Sequence, residues 1–145
     1  HARFSAKMRI YKYIIINRVG RPVLEKNRGW HIMKELDLKL MKKGAKKLIG
    51  TKDFSTFRAS SCRASSPIKT MKLIKIKSSK SKIEIEFRSQ SFLQQQVRSM
   101  VGCLKYLGEK KWSLKKFVKI LKSKKRILCA PPAPPEGLYL MRIIY

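Results

Sequence analysis

Acidic side chains are scarce. Eight Asp and Glu stand against 36 Lys and Arg in 145 residues, for a formal net charge of +28. Chemistry that needs clustered carboxylates has little to draw on, and Asp37 and Asp53 are the only aspartates. Histidine is scarcer still: His1 and His31 are the two present, too few for a His-rich metal cluster or a His-led triad. Cys62, Cys103 and Cys129 make an odd set with no C-x-x-C spacing. That argues against a disulfide scaffold or a thiolate zinc site and fits a reducing compartment, the cytoplasm. No apolar run approaches the ~18 residues of a membrane span; the longest block lies around Tyr13-Ile14-Ile15-Ile16. The Walker, G-x-G-x-x-G, H-E-x-x-H and G-x-S-x-G signatures are all missing. Met is missing from the first position, where His1 stands, so a fragment of a longer product is expected.

What the chain does have is enough apolar surface for a core. With 43% hydrophobic residues and 9% aromatics it is no disordered basic tail, and its length suits one domain of roughly 100–200 residues. More than four bases per acid favour a polyanionic partner, because each phosphate neutralised releases counterions. A Lys- and Ile-rich composition also arises from genome drift, so charge gives the class of partner only. Nucleic acid comes first in that class and an anionic membrane surface second.

Lys7–Asn17 is β-branched and aromatic and reads as a strand, with Arg9, Tyr11, Tyr13 and Ile15 on one face and Ile10, Lys12, Ile14 and Ile16 on the other. Val19-Gly20-Arg21-Pro22 breaks it. Asp37 is placed to cap a helix whose stripe is Leu38, Met41, Ala45, Leu48 and Ile49, with Lys39, Lys42, Lys43, Lys46 and Lys47 outward and Gly50 ending it. Thr51–Pro67 is irregular and Ser-rich and reads as an exposed loop. Met71–Lys77 and Lys82–Arg88 form a hairpin; in its second strand Ile83, Ile85 and Phe87 alternate with Glu84 and Glu86. Ser91 can cap a helix running through Gly108, with Leu93, Val97, Met100, Val101, Leu104 and Leu107 buried. Ser113 opens another, with Leu114, Phe117, Val118 and Leu121 inward and Lys115, Lys116, Lys119 and Lys122 outward. Pro131–Pro135 reads as a stiff extended linker, and Leu138–Tyr145 as a last strand. The order predicts an α+β domain, with helices packed on one face of a largely antiparallel mixed sheet.

Each candidate for chemistry has a plain structural counterpart. Asp37 reads as a helix cap and Asp53 as a turn former. Glu84 and Glu86 suggest a carboxylate pair, but flanking Lys82 and Arg88 favour a solvated ion-pair face. Tyr11 and Tyr13 suit either a base-stacking platform or core packing; periodicity does not separate the two. Arg98 lies off its helix's apolar stripe, so it reads as a surface charge, although Gly102 at i+4 leaves room for something to approach.

Four segments, in order and spanning almost the whole chain, resemble the bacterial tRNA pseudouridine synthase A family. HARFSAKMRIYKYIIINR is similar to its F-x-A-R-x-x-Y-x-Y strand, and LDLKLMKKGAKKLIGTKDFSTFR to its helix and G-x-H-D-F-x-x-F-R loop. SFLQQQVRSMVGCL resembles its F-x-x-x-x-V-R-x-M-V-G helix, and APPAPPEGLYLMRIIY its A-P-x-x-G-L-x-L strand. The resemblance implies an isomerase, without cofactor or metal, that breaks the glycosidic bond of a uridine flipped from the tRNA anticodon arm, turns the base and rejoins it through carbon. It implies that Tyr11 packs on the flipped base, that Leu138 is an apolar wall of the pocket, and that Arg98 pairs with the catalytic carboxylate. Lys52, Asp53, Arg58 and Arg63 fall in or beside the loop motif, where Lys52, Arg58 and Arg63 are expected to contact RNA and Asp53 to serve local structure.

This sequence departs from the family pattern in two places. Lys52 stands where the family usually has His. The G-R-T-D-A-G-V-H-A segment that carries the family's nucleophilic Asp is absent. Residues 1–145 are therefore expected to be the C-terminal lobe of a two-lobed catalytic domain, inactive alone, with tRNA and a missing N-terminal lobe as partners, a homodimer when complete, and no membrane. The other classes left open are a non-catalytic basic RNA-binding module and a membrane-surface protein using basic amphipathic helices.

Overall fold

The computed structural model describes residues 6–20 and 28–145; His1 and the Arg21-Pro22 part of the expected break lie outside them. In chain order the elements are β1 (Met8–Asn17), β2 (Trp30–Ile32), α1 (Leu38–Leu48), β3 (Gly50–Asp53), β4 (Ile68–Ser79), β5 (Lys82–Ser89), α2 (Gln96–Gly108), α3 (Leu114–Ser123) and β6 (Leu138–Ile144). Short 3₁₀ turns at Ser55–Phe57, Arg126–Leu128 and Pro135–Gly137 join them.

β1 organises the sheet. One side pairs antiparallel with β5 from Arg9 to Ile16. The other is shared: β6 runs antiparallel along Met8–Tyr13, and β2 runs parallel along Ile15–Asn17. Beyond β5 lie β4 and then β3, both antiparallel to their neighbours. The six-stranded sheet is thus mixed and largely antiparallel, and with its three helices it has the expected α+β architecture.

Register explains which face is buried. Tyr13 stands beside Ile85, Ile15 beside Ile83, and Ile74 and Ile76 beside Phe87 and Ile85. These side chains pack with Met41 and Leu48 of α1, Met100 and Leu104 of α2, and Phe117 and Leu121 of α3 in one core. The opposite face carries charge: Glu84 lies 3.4 Å from both Lys12 and Lys77, and Glu86 2.6 Å from Arg88. Burial works to raise the Glu84 pKa, but the two lysines outweigh it and hold it below the ordinary carboxylate value. This is the ion-pair face, with Lys12 and Lys77 in the place expected of Lys82.

The caps behave as the sequence suggests. Asp37 accepts the Leu40 N–H at 3.0 Å and Ser113 the Lys116 N–H at 3.1 Å, each satisfying an otherwise orphaned donor. The five outward lysines of α1 and the four of α3 are exposed.

Three readings are corrected and one element is added. Thr51–Pro67 is not an open loop throughout: Gly50–Asp53 pairs with Ile68–Met71, and Phe54, Thr56 and Phe57 are buried in the following turn. The short β2 carries no periodic signal and was not expected. α2 starts at Gln96 rather than after Ser91, because Gln95 takes a left-handed conformation (φ 62°) and the Gln96 side chain accepts the Leu93 N–H at 2.8 Å. Pro131–Pro135 is no free linker: Ala133 is fully buried, and its N–H donates to the Arg98 carbonyl at 2.9 Å.

Candidate active site

A cleft of about 230 Å³ opens where β1, β6 and the start of α2 meet, lined by Tyr11, Leu138, Arg98 and the Phe92–Val97 segment. That volume is below the ~300–1,000 Å³ of pockets that engulf drug-sized ligands and suits a single planar ring. Tyr11 and Leu138 reach it from neighbouring strands, since Tyr11 is in register with Leu140 and Tyr13 with Leu138. Both are half-buried.

The two tyrosines of β1 part company. Tyr13 is fully buried, and its hydroxyl donates to the Pro134 carbonyl. Burial, reinforced by the Glu136 charge and opposed by Arg98, raises its pKa well above the phenolic value, so it stays a neutral donor. Tyr11 faces the cleft, its ring edge-on to Phe92 with centroids 5.1 Å apart. Such a contact fixes the angle between the two rings. Phe92 was not singled out in the sequence; the signal was its place in the motif segment beside Leu93.

Arg98 is held at one end only. Its Nε donates to the Ala133 carbonyl at 2.7 Å, while its own carbonyl accepts the Ala133 N–H. Among the described residues its two terminal nitrogens have no partner. A guanidinium fixed through Nε presents its terminal pair as a fork that matches a carboxylate or phosphate. The space that Gly102 seemed to offer is filled: a Cβ there would sit 2.1 Å from the Pro131 carbonyl oxygen. Gly102 admits the backbone whose Ala133 anchors Arg98.

Arg126 ties the cleft's rim from outside, donating to Ser99 Oγ at 2.6 Å and Gln95 Oε1 at 3.2 Å.

The loop residues serve structure first. Asp53 Oδ1 accepts the Ser55 N–H at 2.8 Å. Burial works to raise its pKa, but the Ser55 hydrogen bonds, with Lys124 and Arg58, leave it lowered. Thr56 donates to the Ile120 carbonyl at 2.9 Å near the end of α3. Arg58 donates to the Ala64 carbonyl at 2.6 Å, closing its own loop, which meets the cleft's rim through Ala59 N–H to the Gln94 carbonyl at 3.1 Å. Lys52 is half-buried on β3 and Arg63 exposed, and neither they nor Arg58 lines the cleft.

Among the described residues no carboxylate lines the cleft either. Among the described residues, no three His, Cys, Asp or Glu approach closely enough to share a metal ion, and no helix is long and apolar enough to cross a membrane.

A family model described as tRNA pseudouridine synthase matches residues 45–145. The chain is 74% identical, over all 145 residues, to tRNA pseudouridine synthase A of Pelagibacter ubique, covering 59% of that protein. It is 44% identical over 145 residues to the protein of the same name from Gluconobacter oxydans, covering 53% of it. The Methylocella silvestris protein of that name is 46% identical over 144 residues, with 58% of its length covered. The chain thus spans little more than half the length of these relatives.

Proposed function

Since the chain belongs to the tRNA pseudouridine synthase family, we propose that residues 1–145 are the C-terminal lobe of a two-lobed cytoplasmic enzyme that isomerises uridine to pseudouridine in the anticodon arm of tRNA. One observation carries the reading: Tyr11, Arg98 and Leu138 line a single cleft in which, among the described residues, the guanidinium fork has no partner and no carboxylate is present. In this reading the attacking Asp comes from a segment outside these 145 residues, and the Arg98 fork holds it ionised and aimed. Tyr11 stacks on the extruded base, repaying part of the few kcal/mol of unstacking, and Leu138 packs its edge. The N1–C1′ bond breaks, the base turns, C5 bonds to C1′, C5 loses its proton and N1 gains one. No cofactor is needed, because the product is an isomer.

The lysine faces of α1 and α3, with Lys52, Arg58 and Arg63, supply the phosphate contacts. The test is tritium release from tRNA carrying C5-tritiated uridine. The chain alone is expected to bind tRNA, with affinity falling steeply as salt rises, yet to release no tritium; adding the Asp-bearing lobe restores release. Release that never appears with both lobes present defeats the enzymatic reading and favours a basic RNA-binding module.

The outer edge of β6 is the place for a further strand. Among the described residues that edge has no partner, and Leu140 and Met141 on the strand are exposed; such an edge invites pairing. The isolated chain is expected to self-associate on sizing as concentration rises and to stop when the N-terminal lobe is supplied. A monomer at every concentration counts against the edge as the lobe junction. Homodimerisation of the complete protein is part of the same proposal.

A further inference from the structure

Two thiols far apart in sequence meet beside the Arg98 anchor. Cys103 Sγ and Cys129 Sγ are 3.5 Å apart, 26 residues from one another in the chain. Cys103 sits on α2 immediately after Gly102, and Cys129 immediately before the Ala130–Ala133 stretch that touches Gly102 and holds Arg98. Cys103 is 1% exposed, whereas Cys129 is half-buried and open to a small oxidant.

We propose that Cys103 and Cys129 are an oxidation site for hydroperoxides, whose disulfide staples the Cys129–Ala133 segment to α2 and so locks the anchor of Arg98. Its regulatory meaning rests on the reading of Arg98 given above; the chemistry does not. The asymmetry of the pair sets the order of events. The hydrogen bond from Cys103 and the nearby Arg126 charge outweigh burial and lower the Cys129 pKa, while the same hydrogen bond and burial raise that of Cys103. Cys129 is therefore the attacking thiolate. Its sulfur bonds to one peroxide oxygen, the O–O bond breaks, and an alcohol, or water from hydrogen peroxide, departs. The Cys103 sulfur then attacks the Cys129 sulfenic sulfur; the S–O bond breaks, and the hydroxyl leaves as water with the Cys103 proton. Two thiols lose two electrons and the peroxide gains them.

The test treats the reduced chain with a few equivalents of hydrogen peroxide and reads intact mass, peptide map, thermal melting and amide exchange. The expected results are loss of two hydrogens, a Cys103–Cys129 cross-linked peptide reversed by dithiothreitol, and a Tm higher by about 5–10 °C. Exchange of the Ala133 amide should slow at least about fivefold. Cys103→Ser should leave Cys129 as a sulfenic acid trapped by dimedone, and Cys129→Ser should leave Cys103 unreacted. Oxidation confined to Cys62, or cross-links only between chains, overturns the site. A Cys103–Cys129 bridge without slower Ala133 exchange overturns the staple. None of these readouts needs tRNA, so their failure is distinguishable from failure of the catalytic proposal.

Discussion

In the two-lobed enzyme proposed above, replacing Arg98 by Lys is expected to cut turnover at least about a hundredfold while tRNA affinity stays within about twofold. A lysine keeps the positive charge but not the geometry. Arg98 spends Nε on the Ala133 carbonyl, and among the described residues both terminal nitrogens are left without a partner. An ammonium on a flexible stem can serve one of these tasks, not both, so the carboxylate loses its fixed direction even where it stays ionised. Affinity is spared because the lysine faces of α1 and α3 lie outside the cleft. Single-turnover rates and filter binding on the same samples check the split. Equal losses in both would make Arg98 a binding residue instead.

Gly102→Ala should be the most damaging small substitution in the chain. In a helix interior Ala is usually better than Gly by roughly 1 kcal/mol, yet here its Cβ would lie 2.1 Å from the Pro131 carbonyl oxygen. Backbone cannot yield as a flexible side chain does, so the Pro131–Ala133 segment must lift off α2. The net cost is about 3 kcal/mol, or a Tm lower by roughly 6–12 °C. The same shift removes the Ala133 anchor, so turnover should fall even where the fold survives. An unchanged Tm would show that the segment is not clamped as described.

What the sequence made legible was local. The Asp37 and Ser113 caps, the 3.6-residue stripes of α1 and α3, and the Ile83-Ile85-Phe87 alternation of β5 depend on neighbours within a few residues, and the structure follows them. What it hid was set by distant partners. β3 is Gly-Thr-Lys-Asp, with no apolar alternation; pairing with β4 and the 2.7 Å Thr51–Thr70 hydroxyl bond hold it in place. The Ser91 cap fails because that residue is engaged elsewhere, its hydroxyl accepting from Lys69 Nζ at 3.0 Å and its carbonyl from the Ser89 hydroxyl at 2.7 Å.

The site divides in the same way. Tyr11, Arg98 and Leu138 were named from motif segments, but only the strand register and the Ala133 clamp bring them to one cleft. Gly102 read as open space, when it is where the chain returns. Cys103 and Cys129 lack any recognisable spacing because the fold, not the sequence interval, makes them neighbours.

The central claim is that the Arg98 fork exists to keep an incoming carboxylate charged. A cation beside an Asp lowers its pKa by about 1–3 units, so removing the cation raises it, and as pH falls the activity that needs the ionised acid is lost sooner. The pH–rate profile of the two-lobed enzyme bearing Arg98→Gln should therefore show its acidic limb moved upward by about 1–3 pH units, with lower turnover throughout. An acidic limb that coincides with that of the unaltered protein would contradict the account.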